Sequence, residues 1–237
     1  MHTVAVVLAA GSGSRFGSAS PKQLRVLAGR NLIQHCVQAF EQAPGVDNVL
    51  VVTAAVIQEQ VARDLAGHGK VAAVIQGGAS RTDSTRQALA WLQASVPGDP
   101  KVLFHDAARP LVDQRIIADC VAALDQWQAI GVVVPSSDTI VEVADGTIQR
   151  VLPRHALARC QTPQGFRLSV ISRAYQLADA DPAFAAVTAT DDCSIVLRYL
   201  PEVVIAAVSG SERNLKITYT DDLAIANALI SRGAEAD

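Results

Sequence analysis

The 237-residue sequence lacks any overall excess of positive charge. It has 20 Lys and Arg against 23 Asp and Glu, which gives a formal net charge of -3 at pH 7. General nucleic-acid-binding proteins carry an excess of basic residues, which neutralises the phosphate charges. The charge balance excludes that class, and it requires any anionic ligand to be held by a local group of cations.

Cysteines are few, and long apolar runs near the N-terminus are missing. Cys36, Cys120, Cys160 and Cys193 lie far apart and form no C-x-x-C pair, so they are interpreted as small buried side chains in a reducing compartment. The first residues carry no charged segment and lead into only a short apolar segment followed by glycines, unlike a signal peptide or a membrane span. We therefore expect a cytoplasmic protein without a membrane partner.

What the sequence does have is enough apolar material for a large core, with 50% hydrophobic residues. The predicted strands are Val4–Leu8, Val49–Thr53, Val71–Ile75, Val102–Phe104, Gly131–Val134 and Val203–Val208. The predicted helices cover residues 31–42, 56–66, 81–94, 113–128, 168–178 and 221–231. Strands that are apolar throughout and alternate with helices are typical of a mostly parallel sheet covered on both faces. One α/β domain over residues 1–237 is expected.

Residues 138–151 interrupt this alternation, because two runs of alternating polarity flank an Ala-Asp-Gly turn. This pattern predicts a β-hairpin. The hairpin could be an arm that reaches a partner subunit or an ordinary edge hairpin, and periodicity does not decide between them.

Acidic residues are absent from two windows, each of which contains several cations. Residues 1–40 contain Arg15, Lys22, Arg25 and Arg30, and residues 146–178 contain arginines at 150, 154, 159, 167 and 173. Either window could reflect an uneven surface charge. Together with the motifs described next, they favour two sites for anions.

A glycine-rich segment follows the first predicted strand, with the sequence A-A-G-S-G-S-R-F-G at residues 9–17. Glycines let the backbone approach a ligand, and exposed N–H groups can hold phosphate oxygens. A dinucleotide-binding G-x-G-x-x-G would need glycine where Phe16 stands, and no Gly-Lys pair fits a P-loop. The nearby cations Arg15 and Lys22 instead favour triphosphate binding.

A second turn, Gly77-Gly78, precedes a predicted capping box formed by Ser80 and Asp83. Such a box opens a helix and would present backbone N–H groups beside the turn.

Eight motifs in order carry a resemblance that spans nearly the whole chain. They are A-A-G-x-G-x-R-x-G, P-K-Q, G-G-x-x-R-x-x-S (77–84), H-D-A-A-R-P (105–110), D-T (138–139), Q-T-P-Q-x-F (161–166), T-D-D (190–192) and N-x-K-x-T (214–218). The set resembles the methylerythritol phosphate cytidylyltransferases of the non-mevalonate isoprenoid pathway. The resemblance implies a Rossmann-like nucleotidyltransferase fold with a protruding β-arm at about 137–160, a homodimer formed through that arm, CTP as a substrate and Mg²⁺.

The resemblance also implies roles for individual residues. CTP would be bound by Ala9, Ala10, Gly11, Gly13, Gly78 and Ser84. The catalytic cations would be Arg15, Lys22 and Lys216. Ala79 departs from the family, since many relatives carry Asp there, and this change bears on the strictness of the CTP preference.

Asp106 follows a predicted strand, and ligands of open α/β sheets bind at the carboxyl ends of strands. We expect it to hold Mg²⁺, which takes few protein ligands and otherwise binds nucleotide phosphates. Without the motif, Asp106 would be interpreted as a helix N-cap or a surface residue. His105 is not assigned as a general base, because the attacking phosphomonoester is already largely dianionic at neutral pH.

The polyol phosphate acceptor would be bound by Arg109, Thr139, Arg154, Thr162 and Thr190, with Arg154 supplied across the dimer. Asp191 and Asp192 are interpreted as helix-capping residues. Two other functions stay open: a ribitol phosphate cytidylyltransferase and, from another class, a non-catalytic nucleotide-binding regulator.

Overall fold

The computed structural model describes residues 1–11, 21–184 and 191–234. Its centre is a sheet of seven strands: β1 (Thr3–Ala9), β4 (Asn48–Thr53), β5 (Val71–Gln76), β6 (Lys101–Asp106), β7 (Ala129–Pro135), β10 (Ala158–Arg167) and β11 (Ile205–Ser209). The strand order is β11-β7-β10-β6-β1-β4-β5. All neighbours are parallel except β10, which runs antiparallel to both β6 and β7. The mostly parallel sheet expected from the sequence is confirmed.

Helices cover both faces of this sheet. They are α1 (Leu32–Gln42), α2 (Gln58–Asp64), α3 (Arg81–Ser95), α4 (Gln114–Gln126), α5 (Leu168–Ala180) and α6 (Asp192–Tyr199), whereas α7 (Thr220–Ala234) packs outside the sheet. Alternate residues of β1 point to opposite faces: Val7 packs with α1, α2 and α4, whereas Val6 packs with α3, α5 and α6. Two buried faces explain why β1 is apolar at every position rather than at every second one.

Two small hairpins lie outside the central sheet. The first pairs β2 (Val26–Leu27) with β3 (Arg30–Asn31), and α7 packs on it through a small apolar cluster that includes Leu27 and Ala226. The second pairs β8 (Val141–Ala144) with β9 (Thr147–Val151). The predicted β-hairpin is confirmed, although residues 158–160, expected within the arm, begin β10 of the central sheet instead.

The predicted capping box is present at the start of α3. The Ser80 side chain accepts a hydrogen bond from the Asp83 backbone N–H, and the Asp83 carboxylate accepts one from Ser80 N–H. The predicted cap at Asp191 is also confirmed, since its carboxylate accepts from Ser194 N–H at the start of α6. The same prediction for Asp192 is wrong, because Asp192 is the first helical residue and its carboxylate accepts from Thr85 and Tyr175.

The burial predicted for the four cysteines is correct for three of them. Cys36, Cys120 and Cys193 are buried, but Cys160 is exposed, because it lies in the first residues of β10, before that strand enters the core. Across the described parts of the chain, none of the helices has the length and apolar character needed to span a bilayer.

Candidate active site

The candidate site lies at the edge of the sheet where the parallel strands β1, β4, β5 and β6 end. Asp106 is the last residue of β6 and pairs in register with Leu8 of β1. The backbone N–H of Ala107 donates to the Leu8 carbonyl at 3.0 Å. Asp106 is thereby placed beside Ala9, the last residue of β1, at the position where open α/β sheets bind ligands.

Two cations contact the Asp106 carboxylate. Lys216 Nζ lies 2.7 Å from Oδ2, and Arg81 Nε lies 3.3 Å from Oδ1. Burial by itself would raise the pKa of Asp106, but these two cations outweigh it and hold the pKa well below its usual value. Asp106 is therefore an anion across the physiological pH range.

Lys22, from the N-terminal part of the sequence, lies in the same region as Lys216. Its Nζ donates to the backbone carbonyl of Ile217 at 2.8 Å, one residue beyond Lys216. The backbone N–H of Ile217 in turn donates to the Ala108 carbonyl at 2.8 Å. These bonds bring Lys22, Asp106 and Lys216 together, as the motifs led us to expect.

A buried polar network fixes the loop that carries Lys216. Asn214 is fully buried, and its Nδ2 donates to Gln161 Oε1 at 3.1 Å and to the Thr162 carbonyl at 2.9 Å. Gln161 Nε2 donates to the Ser211 carbonyl at 2.8 Å. The loop is thus tied to β10, and β10 neighbours β6, so the backbone of Lys216 is held close to Asp106.

His105 and Thr162 are buried residues that hold the backbone of Asp106 in place. Thr162 Oγ1 accepts from Asp106 N–H at 3.1 Å and lies 3.0 Å from His105 Nδ1, while His105 Nε2 lies 3.0 Å from the Arg109 carbonyl. Burial lowers the pKa of His105 to about 4. The ring is therefore neutral at pH 7, with Nε2 as its donor and Nδ1 accepting the Thr162 hydroxyl.

The glycine turn after β5 packs closely against the end of β1. A Cβ on Gly77 would lie 2.5 Å from Ala10 Cβ, and one on Gly78 would lie 2.2 Å from Asp83 Cβ, so neither position accepts a side chain without rearrangement. Ser84 Oγ accepts from Gly78 N–H at 3.2 Å and donates to the Ser80 carbonyl at 2.9 Å. These bonds give Ser84 a supporting role in the turn, and base recognition by its hydroxyl stays a prediction.

The expected acceptor residues divide into two places. Arg109 and Thr162 are buried beside Asp106, and the Arg109 guanidinium donates to the Asn214 carbonyl at 2.8 Å and to the Cys160 carbonyl at 3.2 Å. Thr139 and Arg154 are exposed next to the β8–β9 hairpin, where Arg154 donates to the Ser137 carbonyl at 3.1 Å. The predictions for Gly13, Arg15 and Thr190 fall outside the described residues.

Sequence patterns missed β10, α6, the small β2–β3 hairpin and one functional candidate. Strand β10 was missed because Gln161, Thr162, Pro163 and Gln164 interrupt any apolar alternation, and α6 was missed because it has only eight residues. Arg81 stands in the G-G-x-x-R-x-x-S motif without an assigned role, although it pairs with Asp106. The position of an arginine two residues before a capping Asp gives no signal of that contact.

The site suits a cation held by one carboxylate and by ligands from a substrate. Within the described ranges, no group of three or more His, Cys, Asp or Glu side chains is arranged to hold a metal ion. Asp106 is ionised and partly open, and its side chain is 13% exposed. A magnesium ion that binds one or two carboxylates and completes its shell with phosphates and water fits this arrangement.

Comparison with known proteins agrees with these features. Residues 3–232 match the family model IspD, described as 2-C-methyl-D-erythritol 4-phosphate cytidylyltransferase. The protein of that name from Thermobifida fusca is 50% identical over 98% of this chain and 94% of its own length. The Haemophilus influenzae bifunctional ribulose 5-phosphate reductase/CDP-ribitol pyrophosphorylase Bcs1 is 37% identical over 95% of this chain and 48% of its own length.

Among solved structures, the Francisella tularensis 2-C-methyl-D-erythritol 4-phosphate cytidylyltransferase superposes with a TM-score of 0.79 at 28% identity. The superposition covers 96% of this chain and 99% of that one. Sequence and fold therefore agree over nearly the whole length. The chain belongs to the 2-C-methyl-D-erythritol 4-phosphate cytidylyltransferase family.

Proposed function

We propose that the chain transfers the cytidylyl group of CTP to 2-C-methyl-D-erythritol 4-phosphate, giving 4-diphosphocytidyl-2-C-methyl-D-erythritol and pyrophosphate. The observation that carries this proposal is the convergence of Lys22, Asp106 and Lys216 at one edge of the sheet. All three lie in motifs of the family, and a relative of that name is 50% identical.

In the proposed reaction, a phosphate oxygen of the acceptor attacks the α-phosphorus of CTP. A new P–O bond forms, the bond from the α-phosphorus to the α–β bridging oxygen breaks, and pyrophosphate leaves with that electron pair. No proton has to be removed, because a phosphomonoester with a second pKa of about 6 is largely dianionic at pH 7. Neutral His105, with both ring nitrogens already engaged, agrees with a reaction that needs no general base.

The main obstacle to the reaction is that two anions must meet. Lys22 and Lys216 are positioned to offset the repulsion between the phosphates and the charge that builds up in the transition state. We assign the same task to Arg15. Holding both substrates at one sheet edge also converts an encounter of two molecules into an oriented reaction.

Asp106 would hold the divalent cation, which we propose is Mg²⁺. When bound, this ion supplies charge neutralisation and polarises the phosphate oxygens of the nucleotide. Ala9, Ala10, Gly11, Gly13, Gly78 and Ser84 would surround the nucleotide. The chain's own contribution at this point is a carboxylate that is kept ionised and kept in place by Arg81 and Lys216.

The acceptor would be bound by Arg109, Thr139, Arg154, Thr162 and Thr190 in a homodimer formed through the β8–β9 hairpin. Two features support this proposal. Arg154 is exposed at the base of the hairpin, and the hairpin carries exposed apolar side chains. An arginine suits the task because its planar guanidinium can bind a phosphate through paired hydrogen bonds.

A cytoplasmic location of the protein is also part of the proposed function.

A second candidate acceptor is ribitol 5-phosphate. It is favoured by the 37% identity to a bifunctional protein whose name includes CDP-ribitol pyrophosphorylase. The chemistry at the α-phosphorus would be the same, and only the acceptor would differ.

The deciding experiment measures pyrophosphate release from CTP and Mg²⁺ with methylerythritol phosphate, with ribitol 5-phosphate and without an acceptor. Release with methylerythritol phosphate alone supports the proposal. Release with ribitol 5-phosphate alone keeps the mechanism and replaces the substrate. If folded protein that still binds CTP releases no pyrophosphate in any of the three reactions, a nucleotide-binding regulator is left as the function.

A further inference from the structure

Arg81 joins two carboxylates from distant parts of the sequence. It is the first residue of α3, and its side chain is three-quarters buried. Its Nε lies 3.3 Å from Asp106 Oδ1, and its Nη1 lies 2.8 Å from Asp192 Oδ2. Arg81 therefore connects the proposed metal ligand to the first residue of α6.

Asp192 is itself held from three elements. Its side chain is fully buried, and Oδ1 accepts from Tyr175 of α5 at 2.7 Å and from Thr85 of α3 at 3.1 Å. Its backbone N–H donates to Gln164 Oε1 of β10 at 3.0 Å. A buried carboxylate with these fixed donors requires a cation beside it, and Arg81 supplies that charge.

The second cation on Asp106 is held far less firmly. Lys216 is 43% exposed, and its flexible side chain contacts Asp106 only through Nζ at Oδ2. Arg81 presents a rigid guanidinium that is already bound to a buried partner. One oxygen of Asp106 thus faces a fixed group, and the other faces a group that can move.

We propose that Arg81 is a positioning residue for the cytidylyl transfer. Anchored by Asp192, it holds the Asp106 carboxylate through Oδ1, so that the contact between Oδ2 and Lys216 can be exchanged for another. Lys216 is then free to turn from Asp106 towards the phosphates while the carboxylate keeps its orientation. This inference rests on the proposed function. It gives Asp192, which is not the cap of α6, a role of its own, because its buried carboxylate holds the Arg81 guanidinium beside the sheet edge.

The chain offers a matched control for testing Arg81. Arg86 lies on the same helix, its side chain is 30% exposed, and it also bonds two carboxylates, Asp83 and Asp179. It does not contact Asp106 in the described structure. Arg81→Lys and Arg86→Lys therefore remove the same planar guanidinium from the same helix, and of the two arginines only Arg81 contacts the Asp106 carboxylate in the described structure.

The experiment compares wild type, Arg81→Lys, Arg86→Lys and Asp192→Asn by thermal melting, by kcat and KM, and by calorimetric binding of CTP with Mn²⁺. We expect Arg81→Lys to lower kcat at least tenfold, to raise the Mg²⁺ concentration for half-maximal rate, and to leave KM for the acceptor within twofold. Arg86→Lys should melt at a similarly lowered temperature with kcat within twofold of wild type. Asp192→Asn should follow Arg81→Lys with a smaller loss.

Unchanged kcat and unchanged Mg²⁺ dependence in Arg81→Lys overturn the inference, and so does an equal loss in Arg86→Lys. If wild type shows no turnover but binds CTP, the proposed function fails and the binding data decide. Weaker CTP–Mn²⁺ binding in Arg81→Lys alone then supports the positioning role, and equal binding in both arginine variants rejects it. A wild type that neither turns over nor binds CTP removes both proposals.

Discussion

The sheet edge around Asp106 and the β8–β9 hairpin differ in what their side chains contact within the single chain. At the sheet edge, Asp106 is bonded by Arg81 and Lys216 and supported by Thr162. On the hairpin, Val143, Ile148 and Val151 are exposed by 58%, 67% and 62%. The first region is fixed within one chain, whereas the second leaves apolar surface that a single chain does not cover. Variants should therefore act on chemistry at the sheet edge and on association at the hairpin.

The largest effect is expected from removing a lysine at the sheet edge. Lys216→Ala and Lys22→Ala should each lower kcat by about 10²–10³-fold, because each removes a cation that stabilises transition-state charge. The melting temperature should stay within about 2 °C, since neither ammonium group packs in the core. The matched control is Lys70→Ala, whose Nζ donates to the Ala43 carbonyl far from the site. If all three variants lose turnover equally, the catalytic assignment is wrong.

The second effect is a pH dependence of stability that belongs to the sheet edge. The pKa of His105 is lowered from 6.5 to about 4 in the folded state. Between these values the unfolded chain binds a proton that the folded chain does not, so stability falls as the pH falls from 6.5 towards 4. The loss should reach roughly 3.5 kcal/mol, at about 1.4 kcal/mol for each pKa unit. The lowered pKa of Asp106 acts separately, because its stabilisation is lost only below about pH 4.

Urea unfolding at intervals from pH 7 to pH 4 measures this slope. The control is His105→Asn, which has no titrating ring and should lose this part of the slope whatever its stability at pH 7. An unchanged slope in that variant would assign the pH dependence to other groups.

The contrast between the two regions also explains what the sequence could predict. Apolar strands such as Val4–Leu8 and the capping residues Ser80 and Asp191 follow local rules, so both were predicted within a few residues. Strand β10 is built from buried amides and a proline, and its strand character depends on partners that lie more than 20 residues away. Arg81 was missed for the same reason: its role depends on ion pairs with Asp106 and Asp192, which lie far from it in the sequence.

Family motifs identified Lys22, Asp106 and Lys216 as site residues. They did not distinguish residues that would contact a substrate from residues that hold the site together. The Arg109 guanidinium holds the Asn214 and Cys160 carbonyls, so Arg109→Ala would disturb the loop that carries Lys216. A variant at this position tests folding as much as acceptor binding. The exposed Arg154 is the better test of the acceptor site.

The third prediction tests whether the hairpin region contributes to the site of a second subunit. Arg154→Ala should raise KM for the acceptor about tenfold, which corresponds to about 1.4 kcal/mol, with kcat nearly unchanged. Mixing Arg154→Ala subunits with Lys216→Ala subunits should restore one competent site in each mixed dimer if Arg154 acts across the interface. No restoration, with mixed dimers verified by mass, would place both residues in the same subunit's site.

The smallest effect is expected from polar substitution on the hairpin itself. Ile148→Ser removes apolar surface from a side chain that is 67% exposed in the single chain. If the hairpin forms the dimer contact, partial burial of the two copies of this side chain together contributes about 1 kcal/mol, and its loss should weaken the dimer about fivefold in Kd. Sedimentation equilibrium measures Kd, and Val56→Ser serves as the control, because Val56 is 85% exposed in a short 3-10 helix of the α/β body. Equal Kd for wild type and Ile148→Ser would remove the hairpin from the interface. A shift in Ile148→Ser alone would show that the hairpin, unlike the sheet edge, requires a second chain to complete its packing.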